Sequence, residues 1–331
     1  MPVGAPLSKR SCKPPDGAGC GFAAGREHGA LVLPELTHAT AALTCQINAV
    51  NEYGEVHPVA IPAERALTVY VDKRELVTLM TLGAQPELLV LGYLRNQRLV
   101  ACAAEVESIT VDWEVGAAAV KTRHGIAHLA QKTAKRVVTT GCGQGSVFGA
   151  LMDDVDRIVL PPDAQLSQRQ LYALVNAIRL KETTYKSAGS VHACALFSVA
   201  AEFDASDAAP ADPEMLLFVE DVGRHNAIDT IAGWLAMNPA AGADAQGFVF
   251  YTTGRLTSEM VIKSAQMNVP IVVSRSGITQ MAHQVAELVG LCAIGRATHK
   301  RFVCYSQAQR LRLSPGLAGP KPAAYTPAVQ R

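Results

Sequence analysis

The sequence lacks the features of three broad classes of protein. Its 331 residues carry 30 basic and 29 acidic side chains, and a formal net charge of +1 provides no general field for binding nucleic acid. No apolar run approaches the roughly 20 residues that a membrane-spanning helix requires. The N-terminal segment has no apolar stretch typical of a secretory signal. We therefore expect a cytoplasmic protein with neither a nucleic-acid partner nor a membrane anchor.

The sequence also lacks the cysteine patterns of disulfide-rich and zinc-binding proteins. Its eight cysteines are widely spaced, and none forms a Cys-x-x-Cys pair. His124 and His128 have the spacing of a His-Glu-x-x-His zinc site, but Gly125 occupies the position of the glutamate. His192 and Cys194 partly match the zinc motif of deaminases, but the acidic residue is missing. We expect no metal site, and we disfavour zinc hydrolysis and deamination.

Composition and periodicity divide the chain into four segments. We predict a flexible leader over residues 1–45 and a flexible tail over 316–331, because both are rich in small residues and proline. Short β-prone runs, among them LTVYV, LLVLGYL and SITVDWEV, predict a small α+β domain over residues 46–150. Strand-like and helix-like runs alternate over residues 151–315, which predicts an α/β domain.

The second half of this α/β domain has the clearest periodicity. The runs MLLFV, FVFYT and IVVS predict strands. Helices are predicted over residues 227–237 and 258–267, and from about Gln280 to a stop at Gly290. Because strands and helices alternate, we expect a largely parallel sheet with right-handed crossovers.

An arginine follows each predicted strand of this region. Arg224, Arg255 and Arg275 come after three strands, and Arg296 opens the segment after a fourth strand-like run, LCAI. Ligands of open α/β sheets bind at the carboxyl ends of strands, and arginine can bind phosphate through two parallel hydrogen bonds. These loops therefore predict a site for a multiply phosphorylated ligand. The alternative is that arginine and glycine are simply common in loops.

The ten residues EDVGRHNAID, Glu220–Asp229, surround Arg224 with side chains that donate, accept and titrate. A solvated turn rarely combines so many such groups. Three roles are open for His225: a base, an orienting residue, or a neighbour of a helix N-cap.

A second candidate site is the glycine-rich segment TTGCGQGSVFG. Cys142 lies there between Gly141 and Gly143, which predicts an exposed thiol that another macromolecule can approach. A thiol becomes a nucleophile when nearby cations or helix N–H groups lower its pKa. A phosphate-binding loop and a structural turn remain alternatives, although the glycine spacing differs from that of a dinucleotide-binding loop.

Four stretches together resemble a known family. They are EDVGRHNAID, the segment Thr253–Ala282, GSVHACALF at Gly189–Phe197, and ELLVLGYL at Glu87–Leu94. Over about residues 64–313 the sequence is similar to the formate dehydrogenase accessory sulfurtransferases, the FdhD family of sulfur carriers. The resemblance implies a small α+β N-terminal domain and a C-terminal α/β domain similar to cytidine deaminase.

The resemblance also implies a function. Such proteins take persulfide sulfur from a cysteine desulfurase and deliver it to the molybdenum cofactor, bis-molybdopterin guanine dinucleotide, before its insertion into formate dehydrogenase. A cytoplasmic homodimer without a structural metal is implied. The family's persulfide cysteine falls on Cys142. Its cofactor-binding stretch falls on Arg296, Ala297, Thr298, His299, Lys300 and Arg301.

The cofactor implied by the resemblance is also a suitable ligand for the phosphate site predicted from the arginine loops. Arg224, Arg255 and Arg275 are predicted to bind phosphates of the same cofactor, and His225 or His192 to position it or to move a proton. The sequence departs from the family at Gly145, where members commonly carry a second cysteine. One thiolate suffices to carry a persulfide, but a mechanism that releases sulfur through a neighbouring thiol needs the second cysteine.

Two other hypotheses stay open. The absent second cysteine favours a chaperone that binds the molybdenum cofactor without sulfur chemistry, and whether Cys194 replaces that cysteine is undecided. The stretch RATHKR lacks the glycines usual at this place in the family, which leaves its backbone contacts undecided. A nucleotide-modifying enzyme on the deaminase-like scaffold is the weaker hypothesis.

Overall fold

The computed structural model describes residues 32–126, 155–181, 183–199, 211–241 and 247–319. In these ranges the helices are α1 (Pro86–Asn96), α2 (Gln168–Lys181), α3 (Thr184–Ala188), α4 (Arg224–Met237), α5 (Ser258–Gln266) and α6 (Gln280–Val289). The strands are β1 (Glu35–Leu36), β2 (Thr44–Val50), β3 (Val56–Pro62), β4 (Arg65–Val71), β5 (Arg74–Thr81), β6 (Val106–Asp112), β7 (Ala117–Thr122), β8 (Leu166–Ser167), β9 (His192–Val199), β10 (Glu214–Asp221), β11 (Gly247–Thr252), β12 (Ile271–Ser274), β13 (Cys292–Thr298), β14 (Arg301–Cys304) and β15 (Leu311–Arg312). None of these helices is long and apolar enough to cross a membrane.

The first sheet has the strand order β1-β6-β7-β4-β5. Its strands alternate buried and exposed residues, so that Leu67, Val69 and Val71 of β4 all point into one core. Helix α1 packs on that face and contributes residues such as Leu91 and Leu94 to the same core. This arrangement is an α+β layer pair.

Helix α1 corrects one prediction. Its residues 88–94 counted among the β-prone runs, yet they form a helix that begins with Pro86 in its first turn. The helix is buried on nearly all sides, because the first sheet covers one face and α4 covers another. A fully buried helix shows no polar face in its sequence, so periodicity could not distinguish it from a buried strand.

The folded chain begins before residue 46, within the segment predicted as a leader. Strand β1 pairs with β6, and Leu33 and Leu36 pack against the first core. The Thr37 hydroxyl and the Ala39 N–H both donate to Glu87 Oε1, each at 2.7 Å. These contacts tie the segment to the start of α1. The rest of the predicted leader and the predicted domain boundary at residue 150 lie outside the described residues.

The second sheet has the order β10-β9-β11-β12-β13-β14. Strands β11, β12 and β13 are parallel, whereas β9 is antiparallel to both of its neighbours and β14 is antiparallel to β13. The sheet is therefore mixed, and the prediction of a largely parallel sheet holds only for its centre. The α/β class is confirmed. Helix α6 ends, as predicted, at Gly290, which adopts a left-handed φ of 70°.

Helices cover both faces of the second sheet. Helices α4, α5 and α6 pack on one face, with residues such as Ile228, Met260 and Val285. Helix α2 packs on the other face through Leu171 and Leu174. Both faces of the central strands are buried, which explains why their sequences are continuous apolar runs.

The two sheets are joined by an unusually close crossing of α1 and α4. A Cβ atom added to Gly92 would lie 1.6 Å from the Asp229 carbonyl oxygen, and one added to Gly233 would lie 1.9 Å from the Leu88 carbonyl oxygen. Each helix therefore needs a glycine where its backbone meets the other. The crossing fixes the position of α4, whose first residue is Arg224.

Candidate functional site

The strand ends of the second sheet bring three of the predicted arginines to one edge. Asp221, at the end of β10, pairs with His192, at the start of β9. Thr252, at the end of β11, pairs with Cys194 of β9 and with Ser274 at the end of β12. Arg224, Arg255 and Arg275, which we call the arginine cluster, follow these three strand ends within three residues.

The arginine cluster surrounds His192. Burial lowers the pKa of the half-buried His192, and the positive charges of Arg224, Arg255 and Arg275 lower it further. All three guanidinium groups are therefore near enough to disfavour a fourth positive charge. His192 therefore lies where the positive charges of all three arginines act together.

Backbone hydrogen bonds hold the loops of the cluster together. The Ala193 N–H donates to Thr253 Oγ1 at 3.0 Å, and the Thr253 N–H donates to the Ala193 carbonyl at 2.9 Å. The Arg275 N–H donates to the Thr252 carbonyl at 3.0 Å. The loop after β11 is thus fixed to the start of β9, and the loop after β12 is fixed to the end of β11.

Small residues let the arginine side chains converge. A Cβ atom added to Gly254 would lie 2.8 Å from Arg224 Cδ, so a glycine is needed where the Arg224 side chain crosses the loop after β11. The Arg275 guanidinium lies over the Tyr185 ring, 5.3 Å from its centroid. This cation–π contact orients Arg275 without neutralising its charge.

A cavity of about 460 Å³ adjoins the arginine cluster at Arg275. One wall is helix α2, and the opposite wall is the end of β13 and the turn that follows it. The Tyr172 hydroxyl joins the two walls, because it donates to the Lys300 carbonyl at 3.0 Å. The cavity is lined by Tyr172, Ala173, Val175, Asn176, Ile178, Arg179, Tyr251, Arg275, Ala297, Thr298, His299 and Lys300.

The structure changes the setting predicted for Arg296. We expected a strand to end before this residue, but β13 continues to Thr298 and carries an irregularity between Gly295 and Thr298. Arg296 has a left-handed φ of 51°, and its N–H donates to the Ser276 carbonyl at 2.7 Å. The irregularity is the reason why the polar run RATHKR does not read as a strand.

The six residues predicted from the cofactor-binding stretch separate into two groups. Ala297, Thr298, His299 and Lys300 line the cavity. Arg296 and Arg301 are exposed and are not among its lining residues in the described part of the chain.

The acidic and amide residues of EDVGRHNAID lie below the site and hold the molecule together. Glu220 accepts hydrogen bonds from the Thr184 and Tyr185 N–H groups at 2.8 and 3.1 Å. Asp221 accepts from the Thr81 hydroxyl at 2.5 Å and from the Leu82 N–H at 3.1 Å, at the end of β5. Asp221 therefore connects the two sheets, whereas Glu220 ties the start of α3 to β10.

His225 belongs to a buried chain of charges. It is 3% exposed, and its Nε2 lies 3.4 Å from Glu259 Oε2. Glu259 Oε1 lies 3.3 Å from Lys263 Nζ, which lies 2.9 Å from Asp229 Oδ1. Asn96 of α1 donates to the same Asp229 oxygen at 2.6 Å. The structure thus places His225 behind Arg224 and within hydrogen-bonding reach of α5.

Cys194 does not supply the second thiol that the loop lacks at Gly145. Cys142 and Gly145 lie outside the described residues. Cys194 is fully buried, and burial raises its pKa to about 12. A thiol with that pKa is protonated at neutral pH and unreactive. Cys194 is therefore unsuited to replace the second cysteine of the loop.

Sequence reasoning missed the wall that helix α2 supplies. Tyr172, Asn176 and Arg179 belong to an ordinary amphipathic helix without glycine or a motif. Polar residues four apart on one side of a helix were the available signal, and they equally describe a solvated face. Among the described residues, no group of three or more histidine, cysteine or acidic side chains is arranged to hold a metal ion.

Comparisons with known proteins agree with the resemblance seen in the sequence. A solved structure from Desulfotalea psychrophila, described as a formate dehydrogenase accessory protein, has the same fold, with a TM-score of 0.61. It is 19% identical in sequence, and the match covers 81% of this chain and 98% of that one.

Two curated relatives named "Sulfur carrier protein FdhD" match most of the chain. The protein from Bacillus subtilis is 29% identical over 264 residues, which cover 79% of this chain and 94% of the relative. The protein from Listeria innocua is 27% identical over 254 residues, which cover 76% and 91%. The model of the FdhD/NarQ family matches residues 62–312, well over half of the sequence, and the chain therefore belongs to the FdhD/NarQ family.

Proposed function

We propose that the protein is a sulfur carrier for formate dehydrogenase. It accepts sulfur from a cysteine desulfurase as a persulfide on Cys142. It then transfers that sulfur to bis-molybdopterin guanine dinucleotide, the molybdenum cofactor, before the cofactor enters the enzyme. In this proposal the protein is a cytoplasmic homodimer, and the cofactor is its substrate. The names of its curated relatives support the role of sulfur carrier.

The observation that carries the cofactor half of the proposal is the convergence of three arginines beside a cavity. Arg224, Arg255 and Arg275 form a site for phosphates, because arginine binds phosphate oxygens in a bidentate fork. The adjoining cavity, about 460 Å³, is within the usual size of a small-molecule site. The phosphates of a guanine dinucleotide would bind the arginine cluster, and an adjacent part of the molecule would enter the cavity.

The cavity residues have separate roles in this proposal. Thr298, His299 and Lys300 offer hydrogen bonds and charge from the β13–β14 turn, and Tyr172 holds that turn in place. Arg296 and Arg301 extend the positive surface beside it. His192 would meet a phosphate directly, and His225 would act indirectly by supporting the start of α4.

The sulfur step balances with one thiolate. The Cys142 thiolate attacks the outer sulfur of the donor's persulfide, the sulfur–sulfur bond breaks, and the donor cysteine leaves as a thiolate. Cys142 then carries a persulfide whose outer sulfur is available for transfer. The absence of a second cysteine at Gly145 keeps that sulfur from being expelled by a neighbouring thiol.

The sulfur half is tested by intact mass after incubation with a cysteine desulfurase and cysteine. We expect the wild-type chain to gain the mass of one sulfur atom and Cys142→Ser to gain none. The matched control is Cys45→Ser, which removes an exposed cysteine of β2 and should leave the gain unchanged. A gain that persists in Cys142→Ser would refute the assignment of the persulfide.

The cofactor half is tested separately with GDP, which carries the base and phosphates of the dinucleotide. We expect calorimetry to show binding that Arg255→Ala and Arg275→Ala each weaken at least tenfold, since each variant removes a charge-assisted hydrogen bond. Arg312→Ala, an exposed arginine on β15 beyond the cavity, is the control. Equal affinity in all four proteins would remove the phosphate site from the proposal.

The absent second cysteine favours one alternative, a chaperone that binds the cofactor without sulfur chemistry. It predicts that Cys142→Ser restores formate dehydrogenase activity in cells lacking the wild-type protein, whereas Arg255→Ala with Arg275→Ala does not. The sulfurtransferase proposal predicts that both variants fail.

A further inference from the structure

Two cysteines outside the candidate site lie side by side on adjacent strands. Cys292 is the first residue of β13 and Cys304 is the last residue of β14, and their Sγ atoms are 3.8 Å apart. Ile294 pairs with Cys304 in the antiparallel ladder, so Cys292, two residues earlier, shares the same face of the sheet. The two thiols are therefore diagonal neighbours on two hydrogen-bonded strands.

The environments of the two thiols differ in a way that gives them different chemistry. Cys292 is fully buried, whereas Cys304 is partly exposed on the edge strand. The hydrogen bond between them lowers the pKa of Cys304 and raises that of Cys292, and burial raises the latter further. Cys304 is thus the sulfur that solvent reaches and that ionises first, and Cys292 is a protonated thiol directly behind it.

We propose that Cys292 and Cys304 are a dithiol that a hydroperoxide oxidises to a disulfide, a modification site separate from Cys142. A disulfide requires the sulfur atoms to approach to about 2.05 Å. From 3.8 Å, the two sulfur atoms need to approach each other by about 1.8 Å. Cys194, by contrast, hydrogen bonds to Thr252 and not to another thiol.

The reaction balances in two steps. The Cys304 thiol releases its proton to solvent, and the thiolate attacks one oxygen of hydrogen peroxide. The oxygen–oxygen bond breaks, a sulfenic acid forms, and the hydroxide that leaves takes up the released proton to become water. The Cys292 sulfur then attacks the Cys304 sulfur and loses its proton, the sulfur–oxygen bond breaks, and a second water leaves. The two thiols lose two electrons and two protons in total, and the peroxide takes them up.

The position of the pair gives the disulfide a consequence for the cavity. The chain between the two cysteines contains the rest of β13, the turn, and β14 as far as Val303. The disulfide would therefore close a short covalent loop that contains Ala297, Thr298, His299 and Lys300, which line the cavity. This consequence rests on geometry alone, and the dithiol stands whether or not Cys142 carries sulfur.

The test treats the purified full-length Cys142→Ser protein with hydrogen peroxide, so that the cysteine of the loop cannot react. We expect a loss of about 2 Da, the mass of two hydrogen atoms, and full recovery of mass with a reductant. Digestion without reductant should yield one cross-linked peptide pair that contains Cys292 and Cys304. Cys45→Ser in the same background is the control and should keep both signals.

The assignment of roles is tested by trapping sulfenic acid with dimedone. Cys292→Ser should accumulate the adduct on Cys304, since no thiol is left to resolve it, whereas Cys304→Ser should show none on Cys292. The proposal is overturned if peroxide produces no Cys292–Cys304 peptide, or if Cys304 goes directly to sulfinic acid while Cys292 stays reduced. Peptide mapping of the unaltered pair decides this without relying on the folding of either serine variant.

Discussion

The crossing of α1 and α4 makes Gly233→Ala the sharpest test of the fold. The added methyl carbon would lie 1.9 Å from the Leu88 carbonyl oxygen, whereas real Cβ atoms essentially never approach another atom within 3.0 Å. The oxygen belongs to a helix backbone and cannot rotate away, so the helices must separate by at least about 1 Å. Overpacking a core costs about 1–3 kcal/mol when side chains can adjust. Here a whole interface must open, and we expect about 3–5 kcal/mol of lost unfolding free energy even though alanine favours the helix by about 1 kcal/mol.

The assay is urea unfolding followed by circular dichroism. Gly316→Ala is the matched control, because Gly316 is exposed and a Cβ there meets nothing within 4 Å. It should change stability by less than about 0.5 kcal/mol. The double variant with Gly92→Ala should lose less than the sum of the single losses, since one separation of the helices relieves both contacts. A Gly233→Ala protein within 1 kcal/mol of wild type, or strict additivity of the two alanines, would refute this account of the crossing.

Three further predictions concern the site and the buried charges beneath it. Tyr172→Phe should weaken GDP binding, measured by calorimetry, about fivefold. It removes the hydrogen bond, worth about 1 kcal/mol, that holds the turn after β13. An unchanged affinity would show that GDP binding does not depend on this hydrogen bond. Arg255→Gln should raise the pKa of His192 in an NMR titration, since it removes a positive charge that disfavours the imidazolium. The wild-type protein should lose stability below about pH 6.5, because His192 takes up a proton more readily in the unfolded chain, and Arg255→Gln should lessen that loss. An unchanged pKa of His192 would contradict the convergence of the cluster. Lys263→Met should lower the free energy of unfolding in urea by about 3–5 kcal/mol, because it removes the cation that pairs with the fully buried Asp229. The double variant Lys263→Met with Asp229→Leu should recover part of this free energy. A loss below 1 kcal/mol would show that the pair contributes little.

The accuracy of the sequence predictions followed the strength of local signals. Helix α6 was predicted from aligned apolar residues and a terminal glycine, and both its start at Gln280 and its end at Gly290 are confirmed. Helix α1 was missed, because it is buried on nearly all sides and its run over residues 88–94 therefore has no polar face. The mixed direction of the second sheet was also missed, since the apolar run of β9 has the same character in either direction.

The candidate site was predictable to the extent that it lies at strand ends. Arg224, Arg255 and Arg275 each follow a strand. Because ligands of open α/β sheets bind at the carboxyl ends of strands, this position predicted one common site for the three arginines. Arg296 did not fit that rule, because β13 runs through it on an irregular turn that only tertiary contacts specify. Helix α2 and Tyr185 carry no local signal of their roles, and they enter the site only through the packing of distant segments.

The segment EDVGRHNAID is informative about the family, but its sequence does not show which of its residues contribute to the ligand site. Its many donating, accepting and titrating groups distinguished it from a solvated turn and left three roles open for His225. In the structure, Asp221 and Asn226 bind β5 of the first sheet, where Asn226 donates to the Met80 carbonyl at 2.6 Å. A buried polar group needs its partner at a fixed place, so each of these bonds restricts the sequence on both sides. Arg224 lies between Asp221 and Asn226 in the sequence, so the bonds of these two residues fix the backbone from which its side chain extends. The same ten residues thus supply one arginine of the candidate site and the hydrogen bonds that join the two sheets.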